Sequence, residues 1–360
     1  MSKKIGILTG GGDAPGLNAV IRAAVLTAES QYGWQIIGIR EGFDGLLNGL
    51  PLIELDSQKV HDLLARGGTI LGAANRGNPF SRPIKEADGS VKHVDVSHEA
   101  LEAMRRNNMD ALIVAGGDGT MAIAHKLVQM GAPIVGVPKT IDNDLAETDF
   151  TFGFNTAIQT ATEALEKLQT TAESHHRVMV LEVMGRNAGW IALVAGLSGG
   201  ADAILIPEVP FDISVVCEKI QSLKQSGRHY SLIVVAEGAA PLDGEQKYYI
   251  TGSSADTSKL GGIGHSVGAN IANCVDAEVR VTVLGHVQRG GQPTPRDRWL
   301  ATMFGSMALE LVRKEKWGYM GALQGGNITS VPMQDAIKMK FVDPESDMVR
   351  VARNLGIVFG

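Results

Sequence analysis

The sequence predicts an α/β protein made of two Rossmann-like lobes with mainly parallel sheets flanked by helices. Three observations predict it. Short apolar runs rich in β-branched residues alternate with longer segments of helical period. The runs are continuously apolar instead of alternating, as in strands buried on both faces of a parallel sheet. The 44 glycines of the 360-residue chain fall mostly at the ends of these runs, where strand-to-helix turns need positive φ or close backbone approach. The length exceeds what one core fills, which argues for two lobes.

In chain order, apolar runs place strands at 5–9, 34–39, 110–115, 133–137, 177–183, 202–206, 229–236 and 278–284. Helical spacing places helices at 16–30, 97–108, 120–131, 155–172, 188–198, 212–226, 256–273 and 297–315. The stretch 239–262 is polar and turn-rich and is expected to be a surface insertion; the tail beyond about residue 318 mixes short elements and is expected to pack on a lobe.

Charged residues make up 20% of the chain and the formal net charge is −6, which favours neither nucleic acid nor an acidic membrane as partner. No apolar stretch is long enough to span a bilayer, and a strand-like run starts at Ile5, so the expectation is a cytoplasmic protein without a signal peptide. Cys217 and Cys274 show no disulfide framework or metal-ligand spacing and are expected to be reduced thiols.

Two strand ends carry the chemistry. Ala111-Leu112-Ile113-Val114-Ala115 breaks into Gly116-Gly117-Asp118-Gly119-Thr120, where glycines admit an anion to backbone N–H groups and Asp118 can face a metal. Pro133-Ile134-Val135-Gly136-Val137 breaks into Pro138-Lys139-Thr140-Ile141-Asp142-Asn143-Asp144, which sets two carboxylates and a hydroxyl beside a lysine. A kinase acting on a hydroxyl benefits from a carboxylate that takes its proton, and Asp142 is the candidate, with Thr140 and Asp144 ordering the loop. A third loop, Gly10-Gly11-Gly12-Asp13-Ala14-Pro15-Gly16, is neither a Walker A nor a dinucleotide fingerprint and taken alone reads as a tight turn. Further strand ends supply Arg177, Met184-Gly185-Arg186, Glu237, Arg280 and His286-Val287-Gln288-Arg289. Permanently charged, bidentate arginines suit a phosphate dianion, and Glu237 suits sugar hydroxyls.

The ordered set Gly-Gly-Asp-Ala-Pro-Gly, Gly-Gly-Asp-Gly-Thr, Thr-Ile-Asp-Asn-Asp, Met-Gly-Arg and Leu-Gly-His-Val-Gln-Arg-Gly-Gly resembles the 6-phosphofructokinase family from the first strand to about residue 315. The resemblance implies ATP and fructose 6-phosphate as substrates, fructose 1,6-bisphosphate and ADP as products, and a place in glycolysis. It implies a donor lobe over 1–153 and 288–338 and a sugar-phosphate lobe over 154–287 and 339–360. Gly12, Asn75, Arg76, Gly117, Asp118, Gly119 and Thr120 would contact the nucleotide, with Asp118 on Mg²⁺. Asp142 would be the base and Arg186 would steady the transferring group. Thr140, Ile141, Met184, Gly185 and Glu237 would contact the sugar. Arg177 and Arg280 resemble arginines that reach the sugar phosphate from a neighbouring subunit, which implies a homo-oligomer (dimer or tetramer). His286, Val287, Gln288 and Arg289 would complete the phosphate pocket.

Two positions bear on the donor. Pyrophosphate-dependent relatives carry Asp where this chain has Gly119, and that carboxylate would crowd the ATP α-phosphate. Familiar bacterial ATP enzymes carry Gly where this chain has Lys139, whereas pyrophosphate enzymes carry Lys. Steric access outranks an added cation, so ATP is the expected donor. The rivals are a pyrophosphate-dependent phosphotransferase of the same fold and a catalytically silent regulatory subunit. Asp118, Asp142 and Arg186 argue against the latter. A dehydrogenase is set aside because the spaced glycine fingerprint is missing. Arg22 matches the basic effector cleft of familiar bacterial members, whereas Leu26 and Gln169 stand where arginines are expected.

Overall fold

The structure is a computed structural model that describes residues 2–74, 77–86, 89–250 and 259–360. The chain forms two units. Unit 1 runs to Ile141 and takes in Leu145–Asn155 and Arg289–Met339; unit 2 comprises Asp142–Asp144, Thr156–Gln288 and Lys340–Gly360.

Unit 1 is built on an eight-stranded sheet. Its order is Asn327–Pro332, Tyr319–Gln324, Ile134–Thr140, Ala111–Gly116, Lys4–Thr9, Gln35–Ile39 and Ile53–Leu55, with Phe152–Gly153 beside the end of Ile134–Thr140. The central strands are parallel and in register, Ile7 facing Ile113 and Ile113 facing Val135. Both faces are covered. On one, Leu17–Thr27 and Pro295–Arg313 bury Leu17, Ile21, Leu300 and Phe304. A Cβ at Gly305 would lie 2.5 Å from the Val20 carbonyl oxygen, so glycine lets these two helices close up. On the other face, Ser97–Arg106 and Asp118–Gln129 bury Leu101, Met121 and Leu127.

The sheet is mainly parallel, as the sequence predicts, with antiparallel pairs at its edges. Ile53–Leu55 runs antiparallel to Gln35–Ile39, and Asn327–Pro332 antiparallel to Tyr319–Gln324. The second pair turns on Gly325-Gly326, both at positive φ, which is a hairpin signal inside the tail left without an assignment. A small hairpin, Arg82–Lys85 with Val91–Val94, was also missed because its residues are largely exposed and show no apolar run.

Unit 2 holds a four-stranded, all-parallel sheet in the order Ala203–Leu205, Ser231–Ala236, Val178–Val183, Val279–Val283. Trp190–Ser198, Ile213–Gln225 and Ile263–Cys274 pack on it around Val180, Leu205, Ile233 and Val267. The C-terminal segment adds a parallel bridge from Val358 to Ala203. The expected helix 256–273 starts only at Ile263; 251–258 lie outside the described residues. Its start is set by Glu182, a buried strand residue whose carboxylate accepts from the N–H groups of Gly262 (3.0 Å) and Gly264 (2.7 Å). No local signal in 256–262 could show that acid. Within the expected insertion, Ala239 lies in the core, and Tyr248–Ile250 pairs antiparallel with Lys259–Leu260.

One expectation is corrected outright. Cys217, on Ile213–Gln225, and Cys274, at the end of Ile263–Cys274, form a disulfide with a Cα–Cα distance of 6.2 Å. The partners are 57 residues apart and meet because their helices pack together, which spacing alone does not reveal. Among the described residues no helix is long and apolar enough to cross a membrane.

Candidate active site

In unit 1 the strand Ala111–Gly116 ends at Gly117, and the helix Asp118–Gln129 begins one residue later. Its first N–H groups have no intrahelical partner and carry the positive end of the helix dipole. Thr120 is buried beneath two glycine loops. A Cβ at Gly116 would meet the Thr120 Cβ at 2.3 Å, and one at Gly10 would meet its Cγ2 at 2.6 Å. The Gly10–Gly12 loop therefore packs directly against the start of this helix. Gly10 N–H donates to Ala115 O (2.9 Å) and Gly11 N–H to Ala74 O (3.2 Å). Asn75 and Arg76 follow directly and lie outside the described residues.

Two cations hold this loop. Lys139, only 3% exposed, donates from Nζ to the Gly12 carbonyl. Arg289 donates from Nη1 to the Asp13 carbonyl (3.1 Å), and a Cβ at Gly12 would sit 2.9 Å from that same Nη1. Arg289, expected with the sugar phosphate, thus belongs to unit 1 and to its glycine loop.

Gly119 differs from these glycines. It has a helical backbone, and a Cβ there would meet nothing within 4 Å. Among the described residues neither conformation nor packing calls for glycine, so the side chain is absent beside open space.

Asp118 is the acid at this helix start, and among the described residues no group of three or more His, Cys, Asp and Glu could cage a metal.

In unit 2, Asp142, Asn143 and Asp144 are all buried, and Asn143 takes a left-handed backbone (φ 54°). The Asp144 carbonyl accepts from the Lys340 N–H (2.8 Å), which anchors this short stretch to the C-terminal segment. In unit 1 the preceding Thr140 and Ile141 are also buried, and the Thr140 carbonyl accepts from Thr151 Oγ1 (2.7 Å). An acid loop read as a surface feature is excluded by this burial.

Arg186 sits at the tip of the turn after Val178–Val183, exposed, with a left-handed backbone (φ 50°). Several features force that strained conformation. Gly185 has φ 145°, and a Cβ there would lie 2.5 Å from Ala188 O. A Cβ at Gly238 would lie 1.9 Å from Arg186 O. The Glu237 carboxylate, expected to hold sugar hydroxyls, accepts from the Arg186 N–H (3.1 Å). Met184 is buried under the turn.

Arg177 and Arg280 come together, but on a residue the sequence reading missed. Both pair with the Glu278 carboxylate, whose pKa the Arg177 hydrogen bond holds below the usual carboxylate range. Its signal was present: Glu278 lies two residues before Arg280 and points the same way from the strand. His286 and Val287 are exposed, whereas Gln288 is completely buried and closes its own turn through Nε2 to Gly285 O (3.1 Å). Gln288 thereby shapes its own loop.

A glycine loop beside a helix start that carries Asp118, and a set of buried acids and strand-end arginines in unit 2, are the residue types of a phosphoryl-transfer class of protein. The phosphofructokinase family profile matches residues 4–312, and the chain belongs to the phosphofructokinase family. It is 52% identical to the ATP-dependent 6-phosphofructokinase of Chloroflexus aurantiacus over 99% of this chain and 98% of that one. It is 46% identical to the pyrophosphate–fructose 6-phosphate 1-phosphotransferase of Streptomyces coelicolor, over 99% of this chain and 100% of that one. Among solved structures, phosphofructokinase from Saccharomyces cerevisiae matches 93% of this chain and 45% of its own at 32% identity, with a TM-score of 0.77.

Proposed function

We infer that the chain is an ATP-dependent 6-phosphofructokinase, transferring the γ-phosphoryl group of ATP to the 1-hydroxyl of fructose 6-phosphate in glycolysis. The observation that carries the donor assignment is the open space at Gly119, which a nucleotide's α-phosphate can use and an aspartate would fill. The helix start at Asp118–Thr120 and the Gly10–Gly12 loop supply N–H groups to the donor phosphates. Asp118 holds Mg²⁺, which when bound neutralises charge on the donor phosphates. Asp142 takes the proton of the attacking hydroxyl, Arg186 stabilises charge on the transferring group, and Arg177 and Arg280 hold the 6-phosphate. In this reading Arg177 and Arg280 serve the site of a neighbouring subunit, the enzyme is a homo-oligomer, and it works in the cytoplasm.

The pyrophosphate reading keeps one observation, the lysine at 139. In this structure its Nζ reaches the Gly12 carbonyl, a role in shaping the loop that serves either donor. Initial rates with fructose 6-phosphate and Mg²⁺, comparing ATP with pyrophosphate, decide the matter. Turnover with ATP and none with pyrophosphate is expected; the reverse overturns the assignment.

A further inference from the structure

Glu208 is a buried carboxylate that the catalytic reading does not use. It lies just beyond the strand Ala203–Leu205, and burial pushes its pKa up from the ordinary glutamate value. Its hydrogen bonds are specific. Oε1 accepts from the Gly189 N–H at 2.9 Å, Oε2 accepts from that same N–H at 3.1 Å, and Oε1 also accepts from the Val342 N–H at 2.9 Å. Gly189 is the residue immediately before the helix Trp190–Ser198 and the last residue of the turn that carries Arg186. Its lack of a side chain is what allows the approach: a Cβ there would sit 2.5 Å from Ile206 Cβ and 2.8 Å from Glu208 Oε2.

The turn is thus held at both ends by carboxylates, Glu237 on the Arg186 N–H and Glu208 on the Gly189 N–H. Between them only the Ala188 N–H to Gly185 O bond (2.9 Å) closes the turn on itself. A left-handed arginine is costly and persists only where the surroundings over-determine it. Burying an acid is costly too, and the same argument applies. Glu208 also reaches the C-terminal segment through Val342, and Trp190 Nε1 donates to Lys340 O (2.9 Å) one residue into the same helix. The turn, the helix start and the C-terminal segment therefore share one anchor.

We propose that Glu208 is a positioning residue for Arg186, fixing the far end of its turn and tying it to the C-terminal segment. The proposal rests on the role given to Arg186 above. It acts on the orientation of an arginine and on nothing in unit 1.

The test compares Glu208→Ala, Glu208→Gln and Arg186→Ala in the full-length enzyme. Steady-state kinetics for both substrates are read beside hydrogen–deuterium exchange over 184–190 and 341–344. Glu208→Ala is expected to lower kcat about 10- to 100-fold, as a misplacement of about 1 Å does. It should leave the ATP KM unchanged and speed exchange in both segments. Glu208→Gln keeps the shape and one carbonyl acceptor, and should fall between the alanine variant and the parent on both readouts. If Glu208→Ala does not fold, the isosteric glutamine variant carries the same two readouts. Faster exchange with an unchanged kcat, while Arg186→Ala loses turnover, overturns the proposal and leaves Arg186 in its role. Full turnover by Arg186→Ala overturns the role of Arg186 and the proposal with it. Unchanged exchange in the Glu208 variants overturns the anchoring itself.

Discussion

Lys139 reaches across the glycine loop of unit 1 and donates from Nζ to the carbonyl oxygen of Gly12, while its own backbone belongs to the strand Ile134–Thr140. A buried amine spent on a carbonyl shapes the loop that cradles phosphate. Lys139→Ala takes the donor from a half-buried carbonyl, a loss of about 0.5–1.5 kcal/mol of stability. The ATP KM should rise with the disordered loop, and the donor should remain ATP. Gly119→Asp should do the opposite, folding normally because a Cβ meets nothing within 4 Å, yet losing ATP turnover. Thermal unfolding and initial rates with both donors check the pair. A Lys139 variant that switches donor would return specificity to the lysine.

The legible part of this protein was what repeats locally. Each central strand, such as Ala111–Gly116, is a continuous apolar run, and the loops that follow show their chemistry in one stretch. What stayed hidden depends on partners distant in the chain. The start of Ile263–Cys274 is set by Glu182, and the Cys217–Cys274 bond by the packing of two helices. The contact of the Arg289 guanidinium with the Asp13 carbonyl, 276 residues away, was equally hidden.

Asp142 is buried, and in the proposed mechanism it takes the proton of the attacking sugar hydroxyl. Asp142→Asn keeps the volume and removes the base, and should lower kcat by about 10²–10⁴-fold with a nearly constant fructose 6-phosphate KM. Steady-state kinetics measure both; a change confined to KM would move Asp142 from catalysis to binding.

Arg177 and Arg280 are preset on Glu278. Either arginine changed to alanine should raise the fructose 6-phosphate KM far more than it lowers kcat. If the arginines serve a neighbouring subunit, mixing an Asp142→Asn chain with an Arg280→Ala chain should restore part of the activity that each lacks alone. Hybrids no more active than the separate variants would place the arginines in their own subunit's site, and an unchanged KM would remove them from any.

Regulation should be muted. Leu26, where an effector arginine is expected, packs against the core of unit 1 and offers no charge. Phosphoenolpyruvate titrated against the enzyme at subsaturating fructose 6-phosphate should inhibit weakly. Strong inhibition would show that other basic residues replace the missing ones.

The stability of unit 2 should respond to pH through Asp202. Burial raises its pKa, more than offsetting the pull of the Leu232 N–H (2.9 Å) and of Arg228 (2.7 Å). A raised folded pKa means that the folded state holds the proton more tightly than the unfolded chain. The stability from this group is therefore full below the unfolded value, about pH 4, and is lost as pH rises through the folded value. Asp202→Asn cannot titrate. The stability of the parent minus that of the variant should fall as pH rises from about 4 through the raised folded pKa. Glu278, with its lowered pKa, works in the opposite sense in both proteins and cancels in the difference. Urea unfolding across that range measures it. A difference that stays flat or rises would mean that Arg228 compensates the buried charge fully.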